Sequence, residues 1–205
     1  MEDPGIIMEA LQKHRLEQQQ EQQRQAQERF EANKDKLTQA KAPTVGSDAD
    51  DAILVVEFFD YNCGFCKRAI GDVTRVIEEN DDVRFVFIEL PILSESSRQA
   101  ARYALAAERQ GKYFEYHSEL MKLTGQKTEE ILQKVGEDLG LDVEQLKKDA
   151  ESQEISSELQ ENKELAAALG ISGTPAFIIG DDLSPGYIPY EQMKAKIDQA
   201  RDNQG

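Results

Sequence analysis

The chain holds two cysteines, in Cys63-Gly64-Phe65-Cys66, and they follow the apolar run Ile53-Leu54-Val55-Val56-Glu57-Phe58-Phe59 almost directly. This juxtaposition constrains the fold more than any other feature. The run is short, β-branched and aromatic, which predicts a strand covered on both faces. Asp60-Tyr61-Asn62 predicts a turn. Cys63 then opens a helix to about Glu79, with Ala69, Val73, Val76 and Ile77 as its buried stripe. Asn80-Asp81-Asp82 ends that helix, and Val83–Leu90 reads as a second buried strand stopped by Pro91. A strand–helix–strand crossover makes the two strands parallel.

From Glu95 to Leu169 the pattern is helical in four or five pieces, punctuated by Gly111, Gly125, Gly140 and Gly170. Ala176–Gly180 returns to strand after Gly170-Ile171-Ser172-Gly173-Thr174-Pro175. The turn-rich Asp181–Gly186 leads into a short edge strand, and an amphipathic helix at about Tyr190–Arg201 closes the chain. The expected class is therefore α/β, with a helical subdomain inserted at about 92–169 between strands.

Residues 1–42 differ in kind. Glu17–Arg29 contains seven glutamines, and no Gly or Pro interrupts Ile6 to Ala42, so a long helix is expected. Leu16, Phe30 and Leu37 fall in heptad phase, and residues 5–16 carry the apolar Ile6, Ile7, Met8, Leu11 and Leu16. Two readings stand: a disordered polar tail, or an oligomerisation stalk whose apolar tip associates with copies of itself. The second is preferred, because a tail has no use for so apolar a beginning. The breakers in Ala42-Pro43-Thr44-Val45-Gly46-Ser47 mark a boundary, giving a stalk and linker over 1–42 and a globular domain over 43–205. Residues 1–42 carry seven basic and eight acidic side chains, so nearly all of the formal charge of −16 sits on the second module.

That acidity argues against nucleic acid or an anionic membrane as a partner. No apolar run approaches the roughly 18 residues that a bilayer span needs. The start, Met1-Glu2-Asp3-Pro4-Gly5, shows no secretory signal, although a signal-stripped mature chain would look the same.

With two cysteines and no more, a disulfide-stapled scaffold and a four-cysteine zinc site are both excluded. A two-cysteine, two-histidine site needs His14 and His117 to converge on one helix start, and no metal is expected. Two readings remain: buried cysteines acting as small apolar residues, or a redox pair. The context favours the pair. A helix amino end presents unpaired N–H groups and positive potential, which favour a thiolate at Cys63 and should lower its pKa. Cys66, one turn inward, is placed to resolve a mixed disulfide.

Glu57 is a carboxylate inside an apolar strand. Either it faces water at a sheet edge, or it is buried with a raised pKa, suited to proton exchange with Cys66. Thr174-Pro175 precedes a strand, and sequence leaves its isomer open. His117 lies on an amphipathic helix and reads as a satisfied, partly buried histidine outside the site.

Phe58-Phe59-Asp60-Tyr61-Asn62-Cys63-Gly64-Phe65-Cys66-Lys67 resembles the active-site signature of DsbA-like thiol-disulfide oxidoreductases of the thioredoxin superfamily. Gly170-Ile171-Ser172-Gly173-Thr174-Pro175-Ala176-Phe177 resembles the cis-proline loop of that family, and Glu57 matches its acidic residue six places before the first cysteine. The resemblance spans about residues 44–201. With the Gln-rich amino-terminal extension, the chain is most similar to the suppressor-of-copper-sensitivity C group.

The resemblance implies a thioredoxin-like fold, Cys63 and Cys66 as a redox-active disulfide with no other cofactor, and Glu57 as acid–base partner. It implies substrate contacts at Gly64, Phe65, Thr174 and Pro175, with Pro175 cis against the cysteines. It further implies a bacterial periplasmic location, a membrane-embedded electron donor, misfolded or disulfide-containing clients, and a homotrimer through residues 5–40. Strongly oxidising relatives carry Pro-His between the cysteines. Phe65 offers no such imidazole, so a disulfide isomerase is expected ahead of a dithiol oxidase. A non-enzymatic Cu(I)-binding or chaperone module is the third reading, since soft thiolates suit that ion.

Overall fold

The structure, a computed structural model, describes residues 4–39 and 41–204. Five strands form one sheet in the order β1 (Thr44–Gly46), β3 (Val83–Glu89), β2 (Ile53–Phe59), β4 (Ala176–Ile179), β5 (Asp182–Pro185). β2 and β3 run parallel, with Ile53 opposite Val83 and Phe59 opposite Glu89, and the other pairings are antiparallel. The crossover helix α2 (Gly64–Glu79) is what makes that pair parallel. β1 lies inside the segment expected to be a linker, where three residues are too few to show a pattern. Gly46 ends it at φ 103°, and a Cβ there would collide with the Val83 carbonyl.

Side chains alternate across β2. Val55 and Phe59 join the larger core under α2 and the helical insertion, whereas Val56 and Phe58 join a smaller core on the opposite face. The insertion between β3 and β4 comprises α3 (Glu95–Glu108), α4 (Tyr113–Lys122), α5 (Glu129–Asp138), α6 (Val143–Ala150) and α7 (Gln153–Ala168). Ser94, Thr128, Asp142 and Ser152 cap four of these helices, each side chain accepting from a backbone N–H three residues on. α8 (Tyr190–Gln204) returns to the larger core through Met193 and Ile197.

The amino-terminal segment departs from the expected uninterrupted helix. α1 spans Pro4–Asn33 and then tightens into a 3-10 segment at Lys34–Gln39. Asn33 Nδ2 donates to the Arg29 carbonyl at 2.8 Å, a side-chain bond that competes with the helical ladder where the pitch changes. Phe30 is 1% exposed and fills the smaller core with Val56, Phe58, Leu165 and Leu169, and Leu37 packs beside it. Gln27 Nε2 also donates to the Asp181 carbonyl at 3.2 Å. Residues from about Gln27 onward therefore belong to the globular domain, and a division at residue 42 falls too late. Phe30 and Leu37 share a phase because both face a sheet that α7 alone leaves partly uncovered. Leu16 is 59% exposed, while the side chains of Ile6, Ile7, Met8 and Leu11 lie outside the described ones.

Candidate active site

Cys63 occupies the N-cap of α2 in extended backbone (φ −73°, ψ 119°), and its side chain makes no capping hydrogen bond. The Asp60 carbonyl accepts from Cys63 N–H at 3.0 Å, and the Cys63 carbonyl accepts the Lys67 N–H at 3.1 Å. The turn and the first helical bond are thus complete, while the first-turn amides of α2 have no side-chain cap. The two sulfurs are not bonded to each other.

The Thr174–Pro175 bond is cis. The loop brings the Thr174 carbonyl 3.2 Å from Cys63 Sγ, which donates to it across the mouth of the site. The Pro175 carbonyl accepts from Gly186 N–H at 2.8 Å, tying the loop to the end of β5. Gly64 and Phe65 are exposed, Phe65 at 61%, whereas Cys66 is 1% exposed and belongs to the core beneath. Both cysteines are buried, and Cys63, 7% exposed, is the more accessible of the two.

Glu57 is buried in the central strand, between Phe87 on β3 and Phe177 on β4, so the sheet-edge reading is overturned. It has the parity of Val55 and Phe59 and so lies on the α2 face. Burial first, and negative charge at Cys63 second, push its carboxyl up to about 8, and Oε1 has no partner among the described residues. Burial, followed by Glu57, pushes the Cys66 thiol far above its ordinary range. Cys66 is thus a protonated thiol needing a base, with a carboxyl on the same face that changes state near neutrality.

A brace that was not foreseen fixes the turn before Cys63. Asp60 Oδ1 accepts from Asn62 N–H and from Ser97 Oγ, both at 2.7 Å, and Oδ2 accepts from Leu93 N–H at 2.9 Å. Asn62 Nδ2 donates to Ser94, Ser96 and Ser97 Oγ at 2.8–2.9 Å, and its Oδ1 accepts from the buried Lys127 ammonium at 2.8 Å. Behind it, the hydroxyls of Tyr61 (2.8 Å) and Tyr113 (2.9 Å) donate to Glu89 Oε1, and Tyr61 lies 3.0 Å from His117 Nδ1. His117 is fully rather than partly buried, and its Nε2 has no partner among the described residues. These partners lie 28 to 65 positions from the turn, beyond any local spacing. The alternation of β3 could have placed Glu89, which has the parity of Phe85 and Phe87.

Residues 54–198 match the DSBA-like thioredoxin domain. The chain belongs to the DsbA-like thioredoxin family. Among solved structures, it is similar to a thioredoxin-like oxidoreductase from Silicibacter pomeroyi DSS-3 at 41% identity and TM-score 0.73, over 78% of this chain and 92% of that one. Proteus mirabilis ScsC in a transitional conformation is 29% identical with TM-score 0.75, over 98% of this chain and 90% of that one. A probable disulfide bond formation protein D of Bacillus anthracis is 30% identical over 171 residues, 76% of each chain. This DsbA-like chain also matches the Na(+)/H(+) antiporter NhaA 1 of Mycobacterium sp. (strain KMS) at 28% identity over 66% of its length, but spans 23% of that relative. No helix among the described residues is long and apolar enough to cross a membrane. Nor does any group of three or more His, Cys, Asp or Glu side chains among them gather closely enough to hold a metal ion.

Proposed function

We propose that this DsbA-like chain is a thiol-disulfide oxidoreductase that works as a disulfide isomerase on exported proteins in the bacterial periplasm. The observation that carries the proposal is the grouping of Cys63, the more accessible sulfur, with the deeper Cys66 and with Glu57 on the same sheet face, the Thr174 carbonyl lying 3.2 Å from Cys63 Sγ. The Cys63 thiolate attacks one sulfur of a client disulfide; that S–S bond breaks, and the second client sulfur leaves as a thiolate. Another client thiolate then attacks the mixed disulfide, freeing Cys63 with no net electron transfer. Alternatively Cys66 passes its proton to Glu57 and attacks Cys63. The client then departs reduced by two electrons, the Cys63–Cys66 disulfide remains, and a membrane-embedded donor must reduce it again.

Isomerisation is preferred to oxidation because Phe65 supplies no imidazole to stabilise the reduced form. The exposed Leu16 and the Gln-rich helix before Gln27 suit a homotrimer joined through that part of residues 5–40 which precedes Gln27, holding several sites around one misfolded client at raised effective concentration. Refolding of scrambled ribonuclease tests this, with the full chain beside Cys63→Ser and a chain lacking residues 1–22, and solution mass measured for each. The full chain isomerises as an oligomer, the shortened chain still reduces insulin but loses isomerisation, and Cys63→Ser does neither. Equal isomerisation by full and shortened chains would overturn the oligomeric reading, and an active Cys63→Ser would overturn the whole proposal.

A further inference from the structure

Beside the active-site turn lies a cleft of about 100 Å³ between α3 and α7, lined in part by Ile92, Arg98, Arg102, Ser156, Gln160 and Lys163. Among the described residues no carboxylate lines it, in a chain with 40 acidic and 24 basic side chains. Arg102 Nη2 donates to Ser156 Oγ at 3.1 Å, but its Nε is buried with no partner among the described residues. Arg98 meets Glu95 at 3.6 Å, a pair with side chains 56% and 85% exposed and so of little worth. Lys163 is exposed and has no hydrogen-bond or ion-pair partner among the described residues.

An unpaired buried guanidinium N–H is a standing cost that a carboxylate would relieve, and Arg matches a carboxylate fork to fork. The volume suits one carboxylate with a water or two. The lip of the cleft continues into Ile92 and Leu93, which are 43% and 54% exposed. That lip is fixed to the turn before Cys63, because Leu93 N–H donates to Asp60 Oδ2 and Ser94 Oγ accepts from Asn62.

We propose that this cleft and ledge form a docking subsite for an extended client segment in which an acidic side chain adjoins apolar residues. The carboxylate sits on Arg98, Arg102 and Lys163, and the apolar side chains cover Ile92 and Leu93, leading the client toward Cys63. The proposal rests on the thiol-exchange reading for the identity of the client, but its test does not pass through sulfur chemistry.

Fluorescence anisotropy with a labelled, cysteine-free, C-terminally amidated peptide carrying two leucines followed by two aspartates measures the interaction directly, beside a counterpart with asparagines. The aspartate peptide binds about tenfold more tightly, and the margin shrinks as salt is raised. In Arg98→Gln/Lys163→Gln, whose two sites are exposed and bear on nothing in the core, the aspartate peptide loses that margin and the asparagine peptide is unaffected. Reaction of the reduced variant with a small aromatic disulfide, in which Cys63 displaces the aromatic thiolate, stays at the parent rate, so loss of docking is told apart from loss of exchange chemistry. Equal binding of both peptides, or an unmoved margin in the variant, would overturn the subsite. Binding to anionic vesicles that the variant abolishes, with no preference between peptides, would overturn it in favour of a membrane surface.

Discussion

Lys127 Nζ donates to Asn62 Oδ1 at 2.8 Å, joining the loop before α5 to the residue immediately ahead of Cys63. Burial first, then the positive charge of Lys67, lower this ammonium to about 8; the Asp60 carboxylate works in the opposite direction. Lys67 itself is held by the Met121 and Leu123 carbonyls. A base with a depressed pKa binds its proton more weakly in the folded state than in the unfolded one. Its share of stability is therefore missing below about 8 and is gained as pH rises from there toward the unfolded value near 10.4. In Lys127→Met, urea unfolding should show less of that gain between pH 8 and 10 than the parent. At pH 7 the variant also leaves Asn62 Oδ1 unpaired, at a cost of about 1–3 kcal/mol.

Glu57 works in the opposite sense. Its folded pKa is about 8 against 4.5, so the folded state keeps a proton that the unfolded state releases. The stability it contributes is full below 4.5 and is lost as pH rises from 4.5 through about 8. Glu57→Gln should flatten that fall, with parent and variant diverging by a few kcal/mol at pH 8. Kinetically, the variant should form the mixed disulfide at Cys63 at the parent rate while resolution by Cys66 slows about 100-fold, the usual scale for a lost proton acceptor. Rapid quench with a peptide disulfide separates the two steps.

Phe30 belongs to the core. Phe30→Ala should cost about 3–5 kcal/mol, and a chain lacking residues 1–41 should lose at least as much. Removal of residues 1–22 should leave the melting temperature of the globular domain within a degree or two. Calorimetry on the three proteins decides whether an effect of shortening concerns assembly or folding.

Where a periodic pattern met a cover on a known side, the sequence was legible. Ile53–Phe59 is a strand as expected, and α2 starts one residue late only because Cys63 is its N-cap. The second strand ends at Glu89, although Leu90 N–H still pairs with the Phe59 carbonyl. That Cys63, Cys66 and Glu57 gather at one end of β2 was legible because their spacing and flanking elements are local. What stayed hidden depends on tertiary placement. A heptad phase cannot distinguish a coiled-coil seam from a single docking face, which is why Phe30 and Leu37 were misassigned. Lys127 follows Gly125-Gln126 in what reads as an exposed loop, and nothing nearby announces that it is buried against Asn62.

The central claim is that disulfide exchange enters this chain at Cys63. Its most direct measurement is the rate at which the single-cysteine variants Cys66→Ser and Cys63→Ser form a mixed disulfide with a small aromatic disulfide reagent at pH 7. Cys66→Ser should react promptly and stoichiometrically, and Cys63→Ser, left with a buried protonated thiol, at least about 100-fold more slowly. Equal rates, or faster reaction through Cys66, would contradict the account.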